Sequence, residues 1–180
     1  MHQEVRIAGM GGQGIMLAGQ LLAYATVMED HNVVWFPAYG PETRGGTADC
    51  TVIISSEEIG SPVSSSPHTL VALTQPMLDK FAPTVRREGL ILVNSSLAKS
   101  PDYRNDCKIV EIPASEIATE LGSALAANMV MLGAYVEMVR PVALESIEKS
   151  MEEAIPERNH RHIPLNIACL RKGAQIAAGM

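Results

Sequence analysis

The sequence predicts an α/β fold in which one mostly parallel β-sheet lies between layers of helices. The chain has 180 residues, 47% of them hydrophobic and 19% charged, which suits a single globular domain over residues 1–180. Segments with the pattern of strands alternate with segments that have helical spacing. Two short segments, 69–74 and 90–94, are apolar on both faces, as central parallel strands are.

The first elements follow the order strand, turn, helix, strand, strand. Residues 5–9 form an apolar strand that stops at a glycine-rich turn, and residues 15–28 have helical spacing. Residues 32–38 form the second strand, in which Pro37 marks the exit into a loop. Residues 48–55 are rich in β-branched side chains, and the connection before them is too short for a helix. We therefore expect an antiparallel third strand.

The rest of the chain continues the alternation. We expect Ser115 to cap the helix that it begins, because a serine hydroxyl can accept a hydrogen bond from a first-turn amide. With right-handed crossovers, the pattern predicts a doubly wound, Rossmann-like three-layer sandwich. The remaining strands are predicted at 69–74, 90–94 and 108–112, and the remaining helices at 75–85, 115–121, 124–139, 143–154 and 163–178.

Charge and cysteine content argue against several classes of protein. With 14 basic and 20 acidic residues the net charge is -6, which disfavours nucleic-acid binding, since that depends on Lys and Arg neutralising phosphates. Cys50, Cys107 and Cys169 lie far apart, so no zinc or iron–sulfur site is expected. The sequence contains neither the pattern of a signal peptide nor an apolar run of membrane-spanning length. We expect a cytoplasmic protein without nucleic-acid or membrane partners.

The turn between the first strand and the first helix matches the pattern G-x-G-x-x-G. It reads Gly9-Met10-Gly11-Gly12-Gln13-Gly14. Glycines allow close approach of the backbone, and the amides at a helix start are free donors at the positive end of the helix dipole. This favours a site for a phosphate or pyrophosphate. The alternative is a tight turn that only packs the helix on the strand.

A nicotinamide or flavin dinucleotide is disfavoured by the end of the second strand. Such a site needs an Asp or Glu there to hold the ribose hydroxyls. Trp35, Phe36, Pro37 and Ala38 occupy that region instead.

The loop 39–49 is the second candidate for ligand contact. Arg44 could bind an anionic group through its planar guanidinium, and Gly45 and Gly46 would let a ligand approach closely. The alternative is an exposed turn whose ion pair contributes little.

Asn128 is the polar residue within the apolar helix 124–139. Its amide either donates to the glycine turn or the loop, or is satisfied by backbone within the core. No nucleophile, general base or metal centre is evident, so we predict no catalytic and no metal-binding residues. A domain with part of a ligand site is typical of a subunit.

At this point the sequence resembles the γ subunits of 2-oxoacid:ferredoxin (acceptor) oxidoreductases over nearly its full length. GMGGQG followed by YGPETRGG about 25 residues later is far more specific than either motif alone. The matching segments are RIAGMGGQGIMLAGQLLAYA from Arg6, YGPETRGG from Tyr39, LVALTQPMLDKF from Leu70 and NMVMLGAY from Asn128.

The resemblance implies one subunit of a hetero-oligomeric enzyme that decarboxylates a 2-oxoacid and transfers the acyl group to coenzyme A. In the family, thiamine diphosphate and Mg are held by α and β partners, and the iron–sulfur clusters lie in β or in a ferredoxin-like δ subunit. The γ domain is Rossmann-like, and in related fused enzymes the equivalent domain helps bind coenzyme A. Carried onto this chain, the coenzyme A contacts are Gly11, Gly12, Gln13, Gly14, Arg44, Gly45 and Gly46.

Among family members, the sequence resembles the 2-oxoglutarate enzymes most, so oxidation of 2-oxoglutarate to succinyl-CoA is expected. The alternatives are 2-oxoisovalerate or pyruvate as substrate within the same family. A stand-alone dinucleotide-binding reductase is the alternative outside it.

Overall fold

One six-stranded sheet organises the chain in a computed structural model that describes residues 1–40 and 46–180. The strand order is β2-β3-β1-β4-β5-β6. The strands are β1 His2–Met10, β2 Asn32–Tyr39, β3 Thr47–Ser55, β4 Thr69–Ala72, β5 Leu90–Asn94 and β6 Lys108–Ile112.

Six α-helices pack on this sheet among the described residues. None of them is both long enough and apolar enough to cross a lipid bilayer. The helices are α1 Ile15–Met28, α2 Gln75–Phe81, α3 Ala114–Leu121, α4 Ala127–Val139, α5 Leu144–Ala154 and α6 Ile163–Ala177.

Strand directions confirm the mostly parallel sheet and the antiparallel β3. β1, β4, β5 and β6 are parallel to one another, with Ala8 opposite Ala72 at the β1–β4 junction. β3 is antiparallel to both β1 and β2, and Ile7 faces Cys50 across the β1–β3 pair. The short connection after β2 therefore returns the chain as a hairpin, as its length predicts.

The two faces of the sheet are covered unequally. The larger hydrophobic cluster joins α1, α3, α4, α5 and α6 to the side chains of one face, such as Val5 and Val71. The smaller cluster packs α2, through Met77 and Leu78, against Leu70 and other residues of the opposite face. Among the described residues, α2 is the one helix in that second layer.

The strand order differs from that of the dinucleotide-binding fold with which the G-x-G-x-x-G pattern is associated. In that arrangement the second strand lies directly beside the first. Here β3 is inserted between β1 and β2, so the end of β2 lies two strand spacings, roughly 10 Å, from β1.

Five predicted helices start or end at other residues in the structure, and three of them differ in a way that has a structural reason. Ser115 is not the cap of α3, since Pro113 occupies that position and Ser115 instead accepts a hydrogen bond at 2.9 Å from Nδ2 of Asn94. α2 ends at Phe81, and a 3₁₀ turn over Ala82–Thr84 follows it. The predicted helix 124–139 begins as a 3₁₀ turn over Ala124–Ala126 before α4.

Candidate functional site

The carboxyl ends of β1 and β4 form the crevice where a ligand site is expected. α1 leaves β1 toward the larger helical layer, and α2 leaves β4 toward the opposite face. Two neighbouring parallel strands whose helices go to opposite faces define a topological switch point, and open α/β sheets bind ligands there. The glycine turn follows β1 directly at this point.

Backbone conformation and space both require glycine in the turn. Gly12 has φ +94° and Gly14 has φ +69°, a region that L side chains rarely adopt. Gly9 is limited by space, because an added Cβ would lie 2.5 Å from Oε1 of Gln13 and 3.2 Å from Cβ of Leu73. The turn therefore needs these three glycines whether or not it binds a ligand.

The start of α1 presents free backbone donors. Gly14 is its N-cap, no side chain caps the helix, and its first turn contains no acidic residue. The amides of Ile15, Met16 and Leu17 have no intrahelical acceptor, because the first turn of any α-helix lacks one. With the positive end of the dipole behind them, these amides suit an anion.

Besides the bond from the Gln13 amide to the Met10 carbonyl, three hydrogen bonds connect the turn to side chains and to the following loop. Oε1 of Gln13 accepts from the amide of Met10 at 2.8 Å, and Nδ2 of Asn128 donates to the carbonyl of Gly14 at 2.9 Å. The amide of Gly11 donates to the carbonyl of Gly46 at 2.7 Å. Asn128 thus contacts the glycine turn, the first of the two roles its sequence position allowed, and Gly46 connects the turn to the end of the loop.

Asn128→Asp should destabilise the protein more at high pH than at low pH. A carboxylate in this buried position would face the Gly14 carbonyl, whereas a protonated carboxyl could still donate to it. Burial would raise the folded-state pKa of this Asp above its unfolded value, so stability is lost as pH rises through the folded pKa. We expect a loss of about 2 kcal/mol at pH 8 and clearly less at pH 5, measured by urea unfolding.

Asn128→Ala is the matched control for this prediction. The Gly14 carbonyl keeps its bond from the amide of Ala18 at 3.1 Å, so alanine leaves no unpaired carbonyl. An equal loss at both pH values in Asn128→Asp would show that its carboxyl does not face that oxygen.

Thr74 lies at the same edge of the sheet as the glycine turn and was not singled out by the sequence analysis. It is the N-cap of α2 at the end of β4, and its Oγ1 is buried without a hydrogen-bond partner among the described residues. A buried hydroxyl without a partner is uncommon. Its signal in the sequence was its position after the apolar run of a central parallel strand, which places it at the same edge as the glycine turn.

A pocket of about 280 Å³ lies beside the turn. Its walls are mostly apolar, and it is small against the 300–1,000 Å³ typical of complete ligand pockets. It can hold only part of a large ligand. The lining residues are Gln13, Leu73, Leu97, Ser115, Ala124, Leu125 and Ala127.

Two ionisable side chains of β3 lie near the crevice. Burial raises the pKa of the Cys50 thiol to about 12, and its Sγ donates to the carbonyl of Ile15 at 3.6 Å. The thiol is therefore protonated at neutral pH and is not an activated nucleophile. Burial also raises the pKa of Asp49, although Arg6, 3.9 Å away at Nε, and Lys80 act in the opposite direction.

A family model described as pyruvate ferredoxin/flavodoxin oxidoreductase matches residues 4–176 of the chain. The protein belongs to this family. Ketoisovalerate oxidoreductase subunit VorA of Methanothermobacter thermautotrophicus is 42% identical over 178 residues, which are 97% of this chain and 36% of the relative. The chain thus spans about a third of the length of the VorA relatives it matches.

Other oxidoreductase subunits in this family match over their whole length. 2-Oxoglutarate synthase subunit KorC of Methanocaldococcus jannaschii is 36% identical over 182 residues, covering 98% of this chain and 95% of the relative. The crystal structure of a keto/oxoacid ferredoxin oxidoreductase γ subunit from Geobacter sulfurreducens is 31% identical, with a TM-score of 0.84 and 99% of both chains covered. These matches confirm the resemblance that the two sequence motifs indicated.

The structure places together five of the seven residues that the sequence analysis predicted as coenzyme A contacts. Gly11, Gly12, Gln13 and Gly14 form the turn at the switch point, and Gly46 is bonded to it. Arg44 and Gly45, which were predicted to contact the ligand, lie outside the described residues. Within the described part of the chain, no cluster of three or more His, Cys, Asp or Glu side chains is placed to hold a metal ion.

Proposed function

We propose that this chain is the γ subunit of a 2-oxoacid:ferredoxin oxidoreductase and that its glycine turn contributes part of the coenzyme A site. The uncapped start of α1 at the switch point carries the proposal. Coenzyme A bears a pyrophosphate and a 3′-phosphate, so it needs an anion site and a cation. In this proposal the turn supplies the anion site, and Arg44, from the loop 39–49, supplies the cation.

The surroundings of the turn favour coenzyme A over a nicotinamide or flavin dinucleotide. A dinucleotide site needs an acid at the end of a strand next to β1. The strand next to β1 on that side is the antiparallel β3, and β2 ends in Pro37, Ala38 and Tyr39. Coenzyme A does not require the ribose acid. Because the pocket beside the turn is small, we assign the remaining contacts to coenzyme A to other subunits.

The remaining cofactors belong to partner chains in this proposal. Thiamine diphosphate with Mg is assigned to α and β subunits, and the iron–sulfur clusters to β or to a ferredoxin-like δ subunit. This chain supplies ligand contacts and an interface, so alone it should lack oxidoreductase activity. The assembly would be cytoplasmic.

2-Oxoglutarate, converted to succinyl-CoA, is the proposed substrate of the assembly. The KorC relative matches along its full length and is named for 2-oxoglutarate, whereas VorA is named for ketoisovalerate and is longer than this chain. Comparing 2-oxoglutarate, 2-oxoisovalerate and pyruvate as substrates of the purified complex, with a viologen acceptor, tests this choice.

Arg44→Ala in the complex is expected to raise the KM for coenzyme A by about tenfold or more. A charged hydrogen bond to a phosphate contributes about 1.5–3 kcal/mol, and its loss weakens binding accordingly. The kcat at saturating coenzyme A and the thiamine diphosphate requirement should stay unchanged. Steady-state viologen reduction at varied coenzyme A measures the effect.

Arg87→Ala serves as the control, because Arg87 is exposed in the connection before β5, at the opposite end of the sheet. If the Arg44→Ala complex had the wild-type KM for coenzyme A, the loop 39–49 would not be part of the coenzyme A site.

A further inference from the structure

α1 combines an exposed surface with a complete lack of charge. Its 14 residues, IMLAGQLLAYATVM, include no Asp, Glu, Lys or Arg. One side is buried against the sheet and α5, through residues such as Leu21 and Ala25. The opposite side remains open, with Val27 60% and Tyr24 45% exposed. A helix without a charged face is normally buried on all sides.

Other helices of the same protein show how unusual this is. α4 has a similar apolar sequence, but nearly all of it is buried. α5 is amphipathic, and its open side carries the exposed charged residues Glu145, Lys149, Glu152 and Glu153. In α4 and α5, a buried surface is apolar and an exposed surface carries charged residues. α1 has an exposed surface without any charged residue.

The open side of α1 also has the spacing of a helix-packing seam. Met16, Gln20, Ala23 and Val27 recur at intervals of 4, 3 and 4 residues, which lines them up along one stripe. Val27 is exposed, and the other three are half-buried, with Met16 packed against the edge of the core. Tyr24 lies next to them. The small Ala23 near the middle lets another helix approach closely.

We propose that this stripe of α1 is the docking surface for a larger subunit of the same oxidoreductase, which presents an apolar helix flanked by basic residues. In the VorA relatives the matching part is only 36% of the chain, so there the domain is covalently joined to a larger body. A permanent contact with such a body is expected to be apolar. The inference rests on the proposed function only in taking the chain to be a subunit.

Charge argues against a second copy of this chain as the occupant. α5 packs beside α1, where Oγ of Ser150 donates to the carbonyl of Leu21 at 3.2 Å. An antiparallel two-fold pairing of α1 would place both α5 helices on the same side of the seam. Their exposed Glu145, Glu152 and Glu153 outnumber Lys149, so the two flanks would repel, whereas a partner with Lys or Arg at that flank would be attracted.

Val27→Lys and Val63→Lys form a matched pair for the test. Val63 is 71% exposed in the connection before β4, next to Ser64, which accepts from Arg6 on the face opposite α1. Both variants are co-expressed with the partner subunits, and recovered complex is measured by native mass spectrometry. Val27→Lys should lower the affinity of the complex about tenfold or more, while Val63→Lys assembles like the wild type.

A labelling experiment gives a second readout that does not depend on the lysine variants folding. Val27→Cys should react with a maleimide in the isolated chain and be protected in the complex, whereas Val63→Cys should react in both. Wild-type assembly of Val27→Lys, equal loss in both lysine variants, or equal labelling of Val27→Cys in both states would overturn the proposal. So would an isolated chain that is dimeric and becomes monomeric with Val27→Lys while the larger complex persists.

These outcomes are separate from those of the coenzyme A experiment. Val27 lies about four turns along the helix from the glycine turn, so its variants report assembly. Arg44→Ala reports the coenzyme A requirement of a complex that still assembles.

Discussion

Gly14→Ala is expected to raise the KM for coenzyme A of the assembled enzyme on the order of 100-fold. Alanine at φ +69° costs about 1–2 kcal/mol. Its Cβ would also collide with Nδ2 of Asn128, which forces that side chain away and breaks its bond to the Gly14 carbonyl. The first-turn amides of α1 would then no longer converge, and losing about 3 kcal/mol of contacts to a charged ligand corresponds to two orders of magnitude.

Gly12→Ala is the matched control, because Gly12 also has positive φ, at +94°, but an added Cβ there meets nothing within 4 Å. It carries the backbone cost alone, and we expect a rise of about tenfold. The double variant Gly14→Ala/Asn128→Ala also lacks the bond from Asn128 to the Gly14 carbonyl, so it should show the same large rise as Gly14→Ala. Steady-state kinetics of the three complexes measure this, and equal effects of Gly14→Ala and Gly12→Ala would rule out the role of Asn128.

Local pattern predicted the elements near the site well. The glycine pattern between an apolar strand and a helix located the turn, and the short connection after residue 38 predicted the antiparallel β3. Asn128 drew attention because a polar residue in an apolar helix needs a partner. Each of these signals lies within one element or one turn, where propensity and hydrogen-bonding requirements act directly.

Features that depend on distant parts of the chain were not predictable in this way. The insertion of β3 between β1 and β2 follows from pairing over long separations, which leaves no periodicity in the sequence. Ser115 looked like a cap because of its position, but Asn94, on a neighbouring strand, binds its hydroxyl instead. The unpartnered hydroxyl of Thr74 shows only once its surroundings are known.

The close contact of α4 with α6 leads to the largest expected effect on stability. An added Cβ on Gly133 would overlap the carbonyl oxygen of Leu170 and lie 2.8 Å from its carbonyl carbon. On the facing helix, a Cβ on Gly173 would overlap the carbonyl oxygen of Val130. Two backbones in contact cannot yield as a flexible side chain would, so the helices must separate and the core around them must open.

Gly133→Ala should therefore lower the free energy of unfolding by about 3 kcal/mol or more. For a chain of this size, that corresponds to a fall in Tm of roughly 10 °C. Gly60→Ala is the control, since nothing lies within 4 Å of an added Cβ there. Thermal and urea unfolding of the isolated chain measure both, and similar Tm values for the two variants would contradict the contact.

Gly173→Ala should have a similar cost, but the two substitutions should not add. Each alone forces the same separation of α4 from α6, and once the helices have moved apart the second methyl group enters space that is already open. The double variant should thus lose clearly less than the sum of the single losses, which gives a coupling energy of 1 kcal/mol or more, on the order expected for residues in contact. Full additivity would mean that the two glycines relax separately, each within its own helix. The geometry argues against this, because each glycine is limited by the backbone of the other helix.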